Sequence, residues 1–239
     1  CHTGLVWERR LNGSPMVFHL AGINNENFIM QDEATGSWWQ QVTGKAILGP
    51  AKGSSLERVP HDEVSFARWK QEHPHTRVLR PDAALAGRYA HADWEAKVRD
   101  LPVVTPRRPG EAFEDRDLMV GVEAGGASKA YLLSDLAERG PVNDRLGDVP
   151  ILLVTFDGGK SVRVFDRTVQ DTVGEFYLQA GEKTGHLVDS GTGSAWDDRG
   201  IAVSGPLSGR KLRRLEPLLD YWFDWKTYHP SSEVYRPGR

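Results

Sequence analysis

Cys1-His2 is the one place in this chain where a soft nucleophile stands beside an imidazole. A thiolate is a strong nucleophile and a good ligand for copper or zinc, and a neighbouring imidazole can lower its pKa or share the metal. Adjacent strand residues point to opposite faces, so the pair can act together only from a loop. His19, on the expected partner strand of the same hairpin, is the third candidate ligand. A closed zinc site takes four ligands, and no second cysteine exists to help complete one. The plainer alternative is a lone thiol, accessible or packed as a small hydrophobe.

Two further blocks combine polar turn residues with a large ring. Asp32-Glu-Ala-Thr-Gly-Ser-Trp-Trp39 and Asp189-Ser-Gly-Thr-Gly-Ser-Ala-Trp196 each place an aspartate before a glycine turn and a tryptophan after it. Such a loop could face a small or saccharide-like ligand. Equally, Asp32 and Asp189 could cap turns while Trp39 and Trp196 plug a core. Arg9 and Arg167 follow acidic residues on strands and suit either an anion or a cross-strand ion pair. Asn143-Asp144 is a further ligand-binding candidate, or an Asx-type turn before Gly147. His73 and His229 fall at helix ends, where an imidazolium complements the carbonyl terminus.

Other motifs fail on spacing. Gly159-Lys160-Ser161 resembles the end of a phosphate-binding loop, but the first glycine of that motif would be Val154, inside a strand. Gly191-Thr-Gly193 has Trp196 where a dinucleotide fingerprint needs its third glycine. No Gly-x-Ser-x-Gly elbow and no His-Glu-x-x-His zinc helix occurs.

The elements that must position these residues repeat. The two Trp blocks share five identities at an offset of 157 residues. Ala46, Gly49, Pro50, Gly53, Leu56 and Arg58 then recur as Ala202, Gly205, Pro206, Gly209, Leu212 and Arg214, one residue closer. Trp69-Lys70, His73-Pro74, Val78, Arg80 and Pro81 recur as Trp225-Lys226, His229-Pro230, Val234, Arg236 and Pro237. Ordinary composition gives roughly three matches over such a window. The sequence therefore reads as an internal duplication, residues 1–81 against about 152–237.

Within each copy the pattern is of short strands and tight turns. Asn12-Gly13 between apolar runs predicts a hairpin, as do 151–156 and 162–165 around the turn at 157–160. Helices are expected from Glu63 to about Glu72 and from Pro217 to about Tyr228. The proline- and charge-rich stretch 101–117 reads as a linker. It leads to a strand at 118–122, a Gly125-Gly126 turn, a strand at 129–132 and a helix capped by Ser134 and ended by Gly140. The domain reading is a first unit at 1–100, the linker at 101–117 and a second unit at 118–239. The fold class expected is α+β, β-rich and mostly antiparallel, with two similar units in a pseudo-two-fold relation.

The 239 residues carry a formal net charge of -3 with acidic and basic side chains interspersed, so nucleic acid is not an expected partner. No apolar run approaches a membrane span. Starting at a cysteine, the chain reads as a mature or trimmed piece, or as one lipidated at that cysteine.

The assembled blocks resemble the domain of unknown function 3179 family. Lys129-Ala130-Tyr131, Val142-Asn143-Asp144, the strand 153–156, Asp189 to Trp196 and Gly205 to Gly209 follow the family's order. In the first copy, Cys1-His2-Thr3-Gly4 resembles the second cysteine of the family's Cys-x-x-Cys stretch and its flank, with the residues before it lacking. The second copy has Leu132 in place of the family's proline, and Asp157 and Gly158 where its cysteines would begin. The resemblance implies an extracytoplasmic location, periplasmic, secreted or lipid-anchored. It carries no established activity. Chemistry is therefore expected at Cys1 of the first copy, through a thiol or a bound copper or zinc ion, with a small-ligand module as the alternative.

Overall fold

In the computed structural model, residues 3–179 and 186–237 are described. The chain is β-rich, with short helices and sheets that are antiparallel apart from one pair of strands.

The N-terminal part, called the first unit for its place in the chain, contains a four-stranded meander, β1 (Phe18–Asn24), β2 (Asn27–Asp32), β3 (Trp38–Gln40) and β4 (Ala46–Leu48), followed by α1 (Phe66–Glu72). The Asn12-Gly13 turn forms where expected, but its ladder is only Arg10–Leu11 against Ser14–Pro15. Positive φ at both turn residues, 50° and 81°, is the geometry that asparagine and glycine tolerate. Helix α1 starts later than its sequence suggests. Ser65 caps it, accepting from the Arg68 N–H at 3.1 Å.

Residues 101–117, expected as a linker, form a strap tied down at several points. Trp222 Nε1 and Lys226 Nζ both bond to Glu111, at 2.9 and 2.7 Å. Arg116 pairs with Glu26 at 2.6 Å and lies over the rings of Tyr221 and Phe223. The short helix α2 (Trp94–Arg99) precedes the strap.

The remainder contains three sheets. One joins β5 (Leu118–Ala124) and β6 (Ala127–Leu132), after which comes α3 (Leu133–Arg139). The next is built on β7 (Val142–Leu146), β8 (Val149–Phe156) and β9 (Ser161–Asp166). A second small meander follows, of β10 (Phe176–Leu178), β11 (Leu187–Asp189), β12 (Ala195–Trp196) and β13 (Ala202–Ser204). Strand β14 (Arg213–Leu215) then pairs with β9, and β15 (Pro217–Tyr221) with β5. Helix α4 (Trp222–Tyr228) leads to β16 (Glu233–Val234), which lies parallel to β6.

Strand β8 explains why the core is continuous. Ile151 and Leu153 face one cluster with Val120, Tyr131 and Leu136, while Leu152, Val154 and Phe156 face another with Phe176 and Trp196. A strand buried on both faces must read as an unbroken apolar run.

Three expectations are corrected. Pro217 to Tyr221 is a strand: proline takes its first position, where no ladder donor is required, and both faces are buried. Asn143-Asp144 lies within β7, so it is not a turn. In helix α3 the cap residue is Leu132, one turn position before Leu133, and Ser134 lies inside; Gly140 ends it at φ 80°, as expected.

Candidate functional site

The two Trp blocks are built alike. In the first, Trp39 Nε1 donates to Asp32 Oδ2 at 2.8 Å and the Thr35 N–H to Asp32 Oδ1 at 2.6 Å. In the second, Trp196 Nε1 donates to Asp189 Oδ2 at 2.9 Å and the Thr192 N–H to Asp189 Oδ1 at 2.7 Å. Ser37 and Ser194 each use Oγ to accept a backbone N–H from the following loop, that of Ala51 at 2.9 Å and that of Leu207 at 3.0 Å. That loop comes so close that a Cβ on Gly49 or Gly205 would meet the serine at 2.8 or 2.7 Å. Both indoles are 0 % exposed, and each is met edge-on by a phenylalanine, Phe18 or Phe176. Burial acts to raise the Asp32 and Asp189 pKa values, but the bonds donated by tryptophan and threonine outweigh it and leave both lowered. Every polar atom of the motif that would greet a ligand is thus engaged in shaping the turn.

The other candidate residues are similarly engaged. Arg9 Nη1 donates to the Met16 carbonyl at 2.9 Å, and Arg167 Nη1 to that of Gly174 at 2.7 Å. Asn143 holds β10 with two bonds to the Phe176 backbone, at 2.8 and 2.9 Å. Asp144 accepts from the Tyr131 hydroxyl at 2.7 Å and pairs with Lys129 at 2.9 Å. His19 is exposed on β1, with Nε2 2.5 Å from Glu33. The rings of His73 and His229 stack on Trp69 and Trp225, at 3.9 and 3.7 Å. Cys1 and His2 lie outside the described residues, among which no group of three or more potential metal-ligating side chains occurs.

A centre that the motifs do not announce lies two positions after Cys1. The β1–β2 turn, with Asn25 and Glu26 at positive φ, meets the first turn of α4. Asp224 accepts from Asn25 Nδ2 at 2.7 Å and from Asn27 Nδ2 at 2.5 Å, one amide on each carboxylate oxygen. Thr3 Oγ1 donates to Asn27 Oδ1 at 2.7 Å, and Thr105 Oγ1 to Asn25 Oδ1 at 3.1 Å. The two amides thus converge on one carboxylate, and the two threonine hydroxyls orient the amides.

Asp220, at the end of β15, completes the centre and is 1 % exposed. Its Oδ1 accepts the Tyr221 N–H at 2.8 Å, while Oδ2 is enclosed without a hydrogen bond. Burial, and then the charge of Asp224, push its pKa well above the carboxylate range; burial also raises Asp224, against the bonds from the two asparagines. Enclosure thus opposes ionisation of both carboxyls, and most strongly that of Asp220.

A second cluster occupies the junction of α1 with β9. Arg163, 2 % exposed, reaches Glu72 at 2.7 Å and Asp62 at 3.4 Å, and Arg68 pairs with Asp157 at 3.0 Å and with Asp198. Four carboxylates thus surround two arginines, each guanidinium bridging the elements it lies between.

A cleft of about 1190 Å³ runs between the strap, α3 and the turn at 158–160. Glu63 lines it, with Oε2 3.3 Å from where a Cβ on Gly4 would lie. Burial raises the Glu63 pKa to about 7, and no neighbouring charge contributes. Neither Glu63 nor the Asn25, Asn27, Asp220 and Asp224 group carries a motif. The four-residue spacing of Asp220 and Asp224 was the only available signal, and it suits any surface helix.

No curated protein and no solved structure matches the chain. The profile of a protein family of unknown function, DUF3179, matches residues 1–232. With nearly the whole chain covered, the protein belongs to the DUF3179 family.

Proposed function

We propose that this is an extracytoplasmic domain whose chemistry centres on Cys1, as a reactive thiol or as a ligand with His2 for copper or zinc. The observation that carries this reading is the buried polar chain Thr3–Asn27–Asp224–Asn25 with the enclosed carboxyl of Asp220 beside it. A buried carboxylate of raised pKa can accept the proton of a thiol as a general base. The network begins two residues from the chain's only cysteine.

The reading includes an internal duplication, with the first copy keeping the cysteine and the second lacking it. In its support, the two Trp turns agree bond for bond. Helix α1 of the first unit docks on the second unit, Ser65 meeting Ser161 and Asp157. Helix α4 of the second unit docks on the first, Asp224 meeting Asn25 and Asn27, and Tyr228 meeting Gln40 at 3.3 Å. Exchange of equivalent helices is what a pseudo-two-fold pair would make.

The test is titration of copper(I), zinc and a thiol alkylator against the protein and its Cys1→Ser, Asp220→Asn and Asp224→Asn variants. Metal uptake or alkylation should vanish in Cys1→Ser, and the pH midpoint of alkylation should shift in both aspartate variants. Equal metal uptake by the Cys1→Ser protein, with a thiol that reacts only after denaturation, rejects the reading.

A further inference from the structure

The cleft beside Glu63 has the make-up of a small-molecule site. Its floor and one wall are apolar, from Leu101, Pro102, Val103, Leu132, Leu133 and Leu219. Glu63 is among the lining residues, and its carboxyl makes no ion pair and no side-chain hydrogen bond among the described residues. Concavities that set apolar surface beside convergent polar groups are where small ligands bind, and a volume near 1190 Å³ is ample for one.

The charge of the walls narrows the ligand class. Helix α2 contributes Glu95 and Arg99, and the turn after β8 contributes Lys160. The strap adds Glu114, Asp115 and Asp117 against Arg116, whose charge is already matched by Glu26. Glu114 in turn is matched by Arg107 at 2.9 Å. Carboxylates thus exceed the remaining cations, and an anion would meet a net repulsive field.

We propose that this cleft binds an aliphatic amine, its ammonium group paired with Glu63 and its hydrocarbon chain along Leu101, Val103 and Leu132. The site supplies what such a ligand needs: apolar surface for methylenes and one half-buried carboxyl lacking a cation. In the free protein Glu63 is protonated below about pH 7, because burial opposes its charge. An incoming ammonium removes that opposition, so binding expels the Glu63 proton to solvent. No covalent bond forms or breaks besides that O–H.

The probe is hexylamine, measured by isothermal titration calorimetry on the full chain at several pH values, in buffers of differing ionisation enthalpy. Hexanol and hexanoate are the neutral and anionic controls. Affinity for hexylamine should rise about tenfold per pH unit below pH 7 and level off above it, with release of up to one proton at pH 6. Glu63→Gln, close in shape, should abolish the proton release and the pH slope. A second variant, Leu101→Trp, keeps Glu63 but fills the apolar wall, and should weaken hexylamine binding with the slope retained. Cys1→Ser should bind hexylamine as well as the parent, which separates this site from the thiol centre. Absence of hexylamine binding, preference for hexanoate, or an unchanged pH slope in folded Glu63→Gln would each overturn the proposal.

Discussion

At the scale of single residues, enclosure decides what each group can do. Trp39 and Trp196 fill two small cores and also bond to the aspartate that shapes the turn. Replacing either with alanine removes a large ring from a closed space, so each variant should lose about 3 to 5 kcal/mol in urea unfolding. Unchanged stability in both would show that the rings are dispensable to packing. Glu63 acts in the opposite sense. Its folded pKa of about 7 lies above the ordinary 4.5, so the folded state binds more protons than the unfolded state between those values. Its contribution is therefore fully present below pH 4.5 and is lost as pH rises through 7, amounting to about 3 kcal/mol at most. Glu63→Gln should be the more stable protein at pH 8 and equal to the parent at pH 4.5. Thermal melts across that range check the sign.

At the scale of elements, the strong local signals were legible and the tertiary ones were not. Asn12-Gly13 and Gly125-Gly126 specify turns through backbone conformations open to few residues, and both turns form. The stretch 217–228 was misread because a short, doubly buried strand has no period to separate it from a helix. Leu218 faces Trp222 and Trp225 while Leu219 faces Val120 and Tyr131, so neighbouring positions are apolar for different reasons. Asn25, Asn27 and Asp224 lie about 200 residues apart in sequence, and no local pattern marks such a meeting. The packing of α4 on β5 depends on Gly121, where a Cβ would lie 2.0 Å from the Trp225 ring. Gly121→Ala should therefore force the helix outward and cost about 2 to 3 kcal/mol. Gly126→Ala meets no atom within 4 Å but takes a positive φ of 78°, so it should cost only about 1 kcal/mol. Denaturant midpoints of the two variants distinguish crowding from backbone strain.

At the scale of the whole molecule, the units meet through buried polar groups as much as through apolar surface, which makes their separation costly. Residues 62 to 72 of the first unit supply Asp62, Arg68 and Glu72, and the second supplies Asp157, Arg163 and Asp198. Arg163 is the hub: it is nearly fully enclosed, and three carboxylates surround it at 2.7, 3.4 and 3.6 Å. Replacing a buried ion cluster with apolar groups throughout can be neutral, but removing one partner leaves the others charged and unmatched. Arg163→Met should thus cost about 3 to 5 kcal/mol, and Glu72→Gln placed in the same chain should restore part of that loss. The parent should unfold in one transition, because neither unit can open without exposing these charges together with the Asn25–Asp224 contact. In Arg163→Met the junction at α1 is weakened while the contact at α4 is kept, so amide exchange should quicken first in 62–72. The measurement is hydrogen exchange on parent and variant at equal pH. Uniform acceleration across both units would mean that the cluster stabilises the molecule as a whole and does not fasten α1 in particular.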